Sequence, residues 1–235
     1  VKQLTDEAFD YIFLVKGDST KISKKVGLQA QTLEAMRREF LYFYPLDSRH
    51  SAHELIPNHL TFMIFNHTAI FPENLWPRQI VANGHVMMEG AKMSKSKGNV
   101  VAPDFIITKY GADTARLFSL FAAPPERDLD WSDQGVDGAY RFLHRVWAIV
   151  YKHSEAVTNV APAGPEARGD RLYRKTHLTI KKVTEDIERQ FQFNTAIAAM
   201  MELVNEMYDY TGREMTDDRL RVVRSAVESL TLLIA

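Results

Sequence analysis

The feature that most restricts how this chain folds is the stretch Pro124-Pro125-Glu126-Arg127-Asp128-Leu129-Asp130-Trp131. Two successive prolines fix φ and remove backbone donors, so neither a helix interior nor an inner strand passes through them. Before this point, short apolar runs alternate with helical spacings and with glycine or proline punctuation. After it, apolar residues recur at steps of three and four. Such a chain is predicted to carry an α/β part over residues 1–125 and an α-helical bundle over residues 126–235. A length of 235 residues suits one or two domains.

The helical part offers four stripes. Val136, Tyr140, Leu143, Trp147 and Val150 form the first; Ile180, Val183, Ile187 and Phe191 the second. Phe193, Ile197, Met200, Val204 and Met207 form the third, and Leu220, Val223, Val227 and Leu230, opened by Thr216 and Asp217, the fourth. Residues 159–169, with Pro162, Gly164 and Pro165, read as a linker. Four helices with short connections predict an antiparallel bundle whose methionines and aromatics are core.

In the α/β part, Thr5 is placed to cap a helix whose first turn carries Asp6 and Glu7, with Phe9, Ile12 and Phe13 on its apolar face. Residues 17–20 read as a turn, 22–27 and 33–40 as helical pieces, and Leu41-Tyr42-Phe43-Tyr44 as a strand ended by Pro45. Residues 60–71 suit a helix buried against a sheet. Strand character returns over 79–82 and 86–88, around Asn83-Gly84. Pro103 sits in the first turn of a helix that Gly111 stops, and another helix follows over 112–121.

Net charge is −1, so no general attraction to phosphate exists and any nucleic-acid contact must come from a local basic patch. Arg141, Arg145, Arg174, Lys175, Lys181 and Lys182 are candidates, against the ordinary role of solvated surface. The absence of cysteine excludes disulfides and thiolate metal sites and fits a cytoplasmic setting. No stretch reaches the roughly 18 apolar residues of a spanning helix, so no membrane partner is expected. The sequence starts at Val1 without an initiating methionine and stops at Ala235 within a helical pattern, as an internal piece of a longer protein would. His50, His53, His59 and His67 match no zinc spacing, so no metal site is expected. Their alternative is ligand handling at the carboxyl end of a strand.

Between the apolar run ending at Met88 and Pro103 lies Gly90-Ala91-Lys92-Met93-Ser94-Lys95-Ser96-Lys97-Gly98-Asn99. It reads as a loop at the end of a strand. Its lysines act as point charges, its serines offer hydroxyls and its glycines admit close backbone approach, which suits a polyphosphate as well as plain solvent.

The order of these residues is more specific than their composition. Lys92-Met93-Ser94-Lys95-Ser96 reproduces the KMSKS signature of class I aminoacyl-tRNA synthetases, and Lys97-Gly98-Asn99-Val100 continues it. Tyr44-Pro45-Leu46-Asp47-Ser48-Arg49-His50-Ser51 and Ile56-Pro57-Asn58-His59-Leu60-Thr61-Phe62 resemble the leucyl members, the archaeal type in particular. The resemblance covers nearly the whole chain and only part of the family's length. It implies that residues 1–125 are the C-terminal half of a Rossmann-type catalytic domain, and that residues 126–235 are the tRNA-binding bundle that follows, truncated at its end. The implied activity is ATP-dependent formation of leucyl-adenylate and transfer of leucine to tRNA(Leu), with Mg2+ accompanying ATP. The implied partner of this piece is the remainder of the synthetase, including the first half of the catalytic domain and an editing domain.

Residue by residue, the resemblance makes Lys92 and Lys95 the catalytic cations at the β- and γ-phosphates, with Met93, Ser94 and Ser96 completing the ATP loop. Glu54 matches the carboxylate of a Gly-x-Asp or Gly-x-Glu tripeptide that holds the ribose hydroxyls. Ala52 stands where glycine is usual, which matters if that place needs a positive φ or room for the ribose. His50 and His59 match the aminoacyl pocket. The backbone of Asn83, Gly84, Met87 and Met88 matches the strand edge against which adenine lies. No His-x-Gly-His signature is present, so this piece alone is expected to be inactive. The alternatives are a non-catalytic module that binds tRNA or a partner, a synthetase for isoleucine, valine or methionine, and a plain helical interaction domain.

Overall fold

Thr5 is extended, and Asp6 and Glu7 open the first helix, α1 (Asp6–Leu14). In the computed structural model, which describes residues 3–235 except the side chains of 189 and 190, the chain divides into two units at Asn83 and Gly84. Val1 and Lys2, where the sequence begins, lie outside the described residues.

In the first unit, α2 (Ser19–Val26) and α3 (Ala30–Phe43) follow α1. The carboxylate of Asp18 accepts the Lys21 N–H at 3.0 Å, so Ser19 and Thr20 enter the helix instead of forming the expected turn. Ala8, Tyr11, Ile12, Ile22, Val26 and Leu33 form the core of these three helices. The strand expected at Leu41-Tyr42-Phe43-Tyr44 is corrected: α3 runs through Phe43, and only Tyr44 is extended. The helical rise brings Phe40 and Tyr44 together at 4.7 Å, and both rings meet Phe71. That non-local aromatic contact outweighs the local β preference of the four residues.

The strand β1 (Arg49–Ala52) runs parallel to β2 (Ile80–Asn83), pairing Arg49 with Ile80 and Ala52 with Asn83. The crossover holds a 3-10 turn at His53–Leu55, a π turn at Ile56–Leu60 and the helix α4 (Thr61–Ile70). This is a β–α–β unit, as expected of a Rossmann-type half. The expected burial of the helix is corrected, because no residue of α4 is buried and Phe62 and Phe65 are 63% and 68% exposed. Its composition is apolar on all sides, which is the pattern of a covered helix.

In the second unit, β3 (Val86–Met88) is the inner strand of a three-stranded sheet. On one side lies β4 (Ala91–Lys92), antiparallel, reached through Glu89 and Gly90 at φ 51° and 75°. Two consecutive positive φ values are what a two-residue hairpin turn requires. On the other side lies β5 (Leu129–Asp130), parallel, pairing Val86 with Leu129 and Met87 with Asp130. Gly84 donates its N–H to the Pro125 carbonyl at 2.8 Å, and a Cβ there would stand 2.1 Å from the Arg127 carbonyl oxygen.

The helices α5 (Pro103–Tyr110) and α6 (Ala112–Phe121) link the hairpin to β5. Beyond β5 come α7 (Asp133–Thr158), α8 (Arg171–Gln190), α9 (Phe193–Thr211) and α10 (Asp217–Ile234), packed around one core that includes Val136, Ile149, Leu172, Leu203, Met207 and Leu230. Ser132, Asp170 and Thr216 cap α7, α8 and α10 with their side chains. The predicted stripes of α9 and α10 are buried, apart from Phe193 and Leu220 at their first turns, which are partly covered.

The predicted phase of α7 is corrected. Its buried line is Val136, Ala139, Phe142, Val146, Ile149, His153 and Val157, while Trp147 is 72% exposed. Two apolar lines one residue apart differ by about 100° around a helix. Which of them faces inward is set by the neighbouring helices. On α8 the buried residues are Leu172, Thr176, Thr179 and Val183; Ile187 is exposed, and Phe191 lies beyond the helix at φ 51°.

Two stability measurements check this account. Replacement of Gly84 by alanine forces the Cβ against backbone that has no rotamer to escape into, and is expected to cost about 1–3 kcal/mol, read as a lower urea midpoint. His153 is 7% exposed and its Nε2 has no partner among the described residues. Burial, with Lys152 adding repulsion, holds its pKa below the ordinary value of 6.5. Above that value both states are neutral at this site; below it the unfolded chain takes up a proton that the folded chain resists, so stability falls as pH drops. In His153→Leu the acid-side decline is expected to be shallower by up to about one proton's slope, measured by denaturation at pH 5 to 7.

Candidate functional site

The lysine-rich segment starts inside the sheet. Ala91 and Lys92 form β4 and Lys92 pairs with Met87, so the loop proper begins at Met93, later than the Gly90 start expected from sequence. The Met93 N–H donates to the Val86 carbonyl at 2.9 Å and ends the ladder. Ser94 is extended, and its hydroxyl oxygen accepts the Lys97 N–H at 3.3 Å, capping a 3-10 turn over Lys95–Lys97. The Ser94 and Ser96 hydroxyls lie 2.8 Å apart. Gly98, at φ 70°, closes the turn with its N–H on the Lys95 carbonyl.

Asn99 ties the two ends of the loop together. Its Oδ1 accepts the Ser94 N–H at 2.9 Å, and its Nδ2 donates to the Lys92 carbonyl at 3.2 Å. Sequence reasoning took Asn99 as a continuation of the signature and missed this clamp. The available signal was an asparagine after a positive-φ glycine, because its short amide matches backbone donors and acceptors. With both ends of the turn held by Asn99 and Ser94, Lys95, Ser96 and Lys97 stand exposed. Among the described residues neither Lys95 nor Lys97 pairs with a carboxylate. The result is a shaped turn presenting uncompensated ammonium groups.

In the first unit, Ala52 and Asn83 end β1 and β2 side by side, at the carboxyl end of the parallel pair, where open α/β sheets hold ligands. Ala52 has φ −75° and ψ 150°, an extended conformation open to any residue. Its methyl therefore meets no dihedral conflict. Glu54 is exposed in the 3-10 turn directly beyond β1, and its carbonyl accepts from the Asn58 amide at 3.3 Å. The Asn83 Oδ1 is buried without a partner among the described residues.

The histidines spend their ring nitrogens on separate partners. His67 donates from Nδ1 to the Met63 carbonyl at 2.7 Å and accepts the Tyr44 hydroxyl at Nε2, 3.1 Å away. His59, in the π turn, has Nε2 3.4 Å from Nη2 of Arg49, a donor, so that nitrogen is the acceptor. His50 Nε2 lies 3.0 Å from the Ser48 hydroxyl. Among the described residues, no group of three or more His, Asp or Glu is placed to hold a metal.

Met87 lies inside the ladder, whereas Met88 is open on the side away from β4. Met87 is paired with Lys92 on one side and Asp130 on the other, and its carbonyl accepts the Trp131 N–H at 2.9 Å. The expected edge is corrected at Met87, where β5 fills it; at Met88, paired with Ala91 alone, the edge stays open. Of the basic residues singled out on the helices, Arg141 pairs with Asp137, Lys175 with Glu202 and Lys182 with Asp186, and the Arg145 guanidinium lies over the Tyr208 ring. No helix of the described residues is long and apolar enough to cross a membrane.

Residues 23–132 match the family described as tRNA synthetases class I (I, L, M and V), and residues 170–235 match the anticodon-binding domain of tRNA ligase. Similar curated proteins include the leucine–tRNA ligases of a Geobacter species and of Geotalea uraniireducens, each 55% identical over 159 residues, 66% of this chain and 19% of theirs. That of Syntrophobacter fumaroxidans is 54% identical over 164 residues, 67% of this chain and 20% of its own. The chain thus spans about a fifth of the length of these relatives. Among solved structures, the LeuRS–tRNA–LeuAMS ternary complex from Agrobacterium radiobacter superposes with a TM-score of 0.67 at 25% identity, over 81% of this chain and 26% of that one. Methionyl-tRNA synthetase of Mycobacterium tuberculosis, solved with methionyl-adenylate, shares the fold with a TM-score of 0.60 at 18% identity, over 83% and 41% of the two chains. Identity above one half with leucine–tRNA ligases across two-thirds of the sequence, joined to family matches that take up the hairpin loop at one end and the last three helices at the other, decides the family: this chain belongs to the class I tRNA synthetases.

Proposed function

We propose that the protein of which this chain is a part activates leucine with ATP, forming leucyl-adenylate, and transfers the leucine to tRNA(Leu) in the cytoplasm. The observation that carries this reading is the 55% identity to leucine–tRNA ligases over 159 residues, beside a family match over 23–132 that takes in the loop holding its ammonium groups outward. The catalytic part is taken to run to about residue 125 and the tRNA-binding part to follow; the two family matches, over 23–132 and 170–235, support that division.

In the reaction, an oxygen of the leucine carboxylate attacks the α-phosphorus of ATP, a P–O bond forms to the amino acid, and the bond to the β-phosphate oxygen breaks as pyrophosphate leaves. Negative charge grows on the leaving group. Lys95, exposed on the turn and without a carboxylate partner among the described residues, is assigned to that charge, with Lys92 at the base of the loop as the second cation. A charge already in place needs no reorganisation as the bond breaks. Met93 and the serine hydroxyls complete the loop, Ser94 chiefly by capping the turn. The first unit supplies Glu54 as acceptor for the two ribose hydroxyls, with Ala52 and Asn83 beside it on the strand ends. His50 and His59 are assigned to the aminoacyl side, and the backbone at Gly84 and Met88 to adenine, Met87 being taken up by its two neighbouring strands. Mg2+ is taken to arrive on the phosphates of ATP, since the described residues gather no carboxylate cluster for it.

In the full-length protein, Lys95→Ala is expected to lower leucine-dependent ATP–pyrophosphate exchange by about a hundredfold, the typical loss for one transition-state donor. Exchange within twofold of wild type would remove Lys95 from the mechanism. Asn99→Ala frees both ends of the loop and is expected to slow the same exchange by about tenfold, the value of one to two hydrogen bonds, with no new cation lost. An unchanged rate would mean that the loop takes its shape from ATP alone.

A further inference from the structure

A cavity of about 350 Å3 lies where the end of α5 and the start of α6 meet the first half of α7. Its lining includes four rings, those of Tyr110, Tyr140, His144 and Trp147, together with Leu143 and one carboxylate, Asp113. No lysine or arginine takes part. The other grooves differ, since those around Arg219 and Arg221, beside Arg168 and Arg174, and between α8 and α9 at Lys175 and Lys182 all carry cations.

Tyr140, Leu143 and Trp147 belong to the second apolar line of α7, beside the one the core took. His144 falls between them at helical spacing, so three rings of one helix face the same side. Tyr110 joins them from the end of α5, 5.5 Å from Tyr140 between centroids at 68°, and Tyr140 meets His144 at 4.3 Å and 64°. Ring planes set steeply to one another form walls. A flat base wants parallel faces, whereas a rounded group fits between walls.

The charge of the site has one sign. Asp113 pairs with Arg116 at 3.1 Å, but the two side chains are 82% and 77% exposed, so this pair is weak and the carboxylate can serve a second cation. Tyr110 and Gly111 add the carboxyl end of α5, where helix carbonyls leave partial negative charge. Lys109, which is outside the lining, already holds its ammonium 4.7 Å from the Tyr110 centroid. That ring therefore takes part in one cation–π contact within the chain.

We propose that this cavity binds an organic cation, a methylated ammonium group seated among Tyr110, Tyr140, His144 and Trp147 with Asp113 balancing its charge. Negative ring faces attract a cation, and methylation removes the N–H groups that would otherwise demand acceptors the rings do not supply. A bare ammonium is strongly hydrated and gives up more on entering such a lining. The volume is that of a small-ligand pocket, which range from about 300 to 1,000 Å3.

The test is titration of the 235-residue chain with choline chloride at constant ionic strength, read on the indole N–H signals of its three tryptophans in a nitrogen–proton NMR spectrum. The Trp147 signal is expected to shift and saturate in the millimolar range. Trp76 and Trp131, whose indole N–H groups donate to the Phe71 carbonyl and to Asp133, serve as references and stay in place. Dimethylbutanol, the uncharged carbon isostere of choline, is expected to bind about tenfold more weakly. Tyr140→Leu keeps an apolar wall without a π-face and is expected to weaken choline about fivefold, as is Asp113→Asn through the lost charge. Tyr151→Leu removes a ring one turn beyond Trp147 and outside the lining, and leaves affinity unchanged. Asp113 and Tyr151 are exposed, so these two variants keep the wild-type melting temperature and decide the matter even if Tyr140→Leu is less stable. A trimethyllysine peptide that displaces choline at a much lower concentration assigns the cation to a protein side chain; one that competes no better than choline assigns it to a free small molecule. A Trp147 signal unmoved by choline, equal affinity for dimethylbutanol, an undiminished affinity in Asp113→Asn, or adenosine acting at a lower concentration than choline would each overturn the assignment.

Discussion

The second unit depends on how closely the backbone passes at Gly84. Its N–H reaches the Pro125 carbonyl at 2.8 Å, and only a hydrogen side chain leaves room for the Arg127 carbonyl. That approach lets the His85 N–H donate to Asp128 at 2.7 Å, the His85 carbonyl accept from Leu129, and the Met87 carbonyl accept from Trp131. These bonds lay β5 parallel to β3. The chain then has two residues in which to turn, Ser132 caps α7, and Trp131 packs against Phe118 at 5.1 Å. The hairpin that carries the loop and the helix that founds the bundle therefore share one anchor.

The loop solves an electrostatic problem. Three lysines close in sequence repel one another, and each gains by pairing with a carboxylate or retreating into water. Here the Ser94 and Lys97 N–H groups and the Lys92 carbonyl are held by Asn99 and Ser94, so the shape of the turn does not depend on neutralising the charges. The turn stays built while Lys95 and Lys97 remain outward. Catalysis of phosphoryl or nucleotidyl transfer gains most from charges placed in advance, and internal satisfaction of the backbone is how a short loop achieves that.

The bundle follows the opposite logic on most of its surface. There Arg141, Lys175, Lys182 and Arg224 lie one turn from acids or across from them on a neighbouring helix, which lowers the field around them. Arg168 and Arg174, just before and on α8, make no such pair among the described residues and lie near the rings of Tyr173 and His177.

Sequence alone determined what depends on neighbours in the chain. Pro103, Gly111 and Thr216 place helix ends because caps and proline act over three or four residues, whereas Thr5 spends its hydroxyl on the Glu7 carboxylate and caps nothing with its side chain; the Lys92-Met93-Ser94-Lys95-Ser96 string is legible because its meaning lies in its order. Tertiary structure decided what depends on distant partners. Residues 41–43 are helical because Phe40 and Tyr44 meet Phe71; Trp147 faces outward because the other helices took the line through Phe142 and Val146; Met87 is an inner position because β5 pairs with it. Ala52 proved free of the dihedral demand that a glycine at that place suggests, since its φ is −75°. Periodicity states that a helix has an apolar side and composition states that a strand has two faces. Which side is covered, and which edge is filled, is settled by packing between segments tens of residues apart.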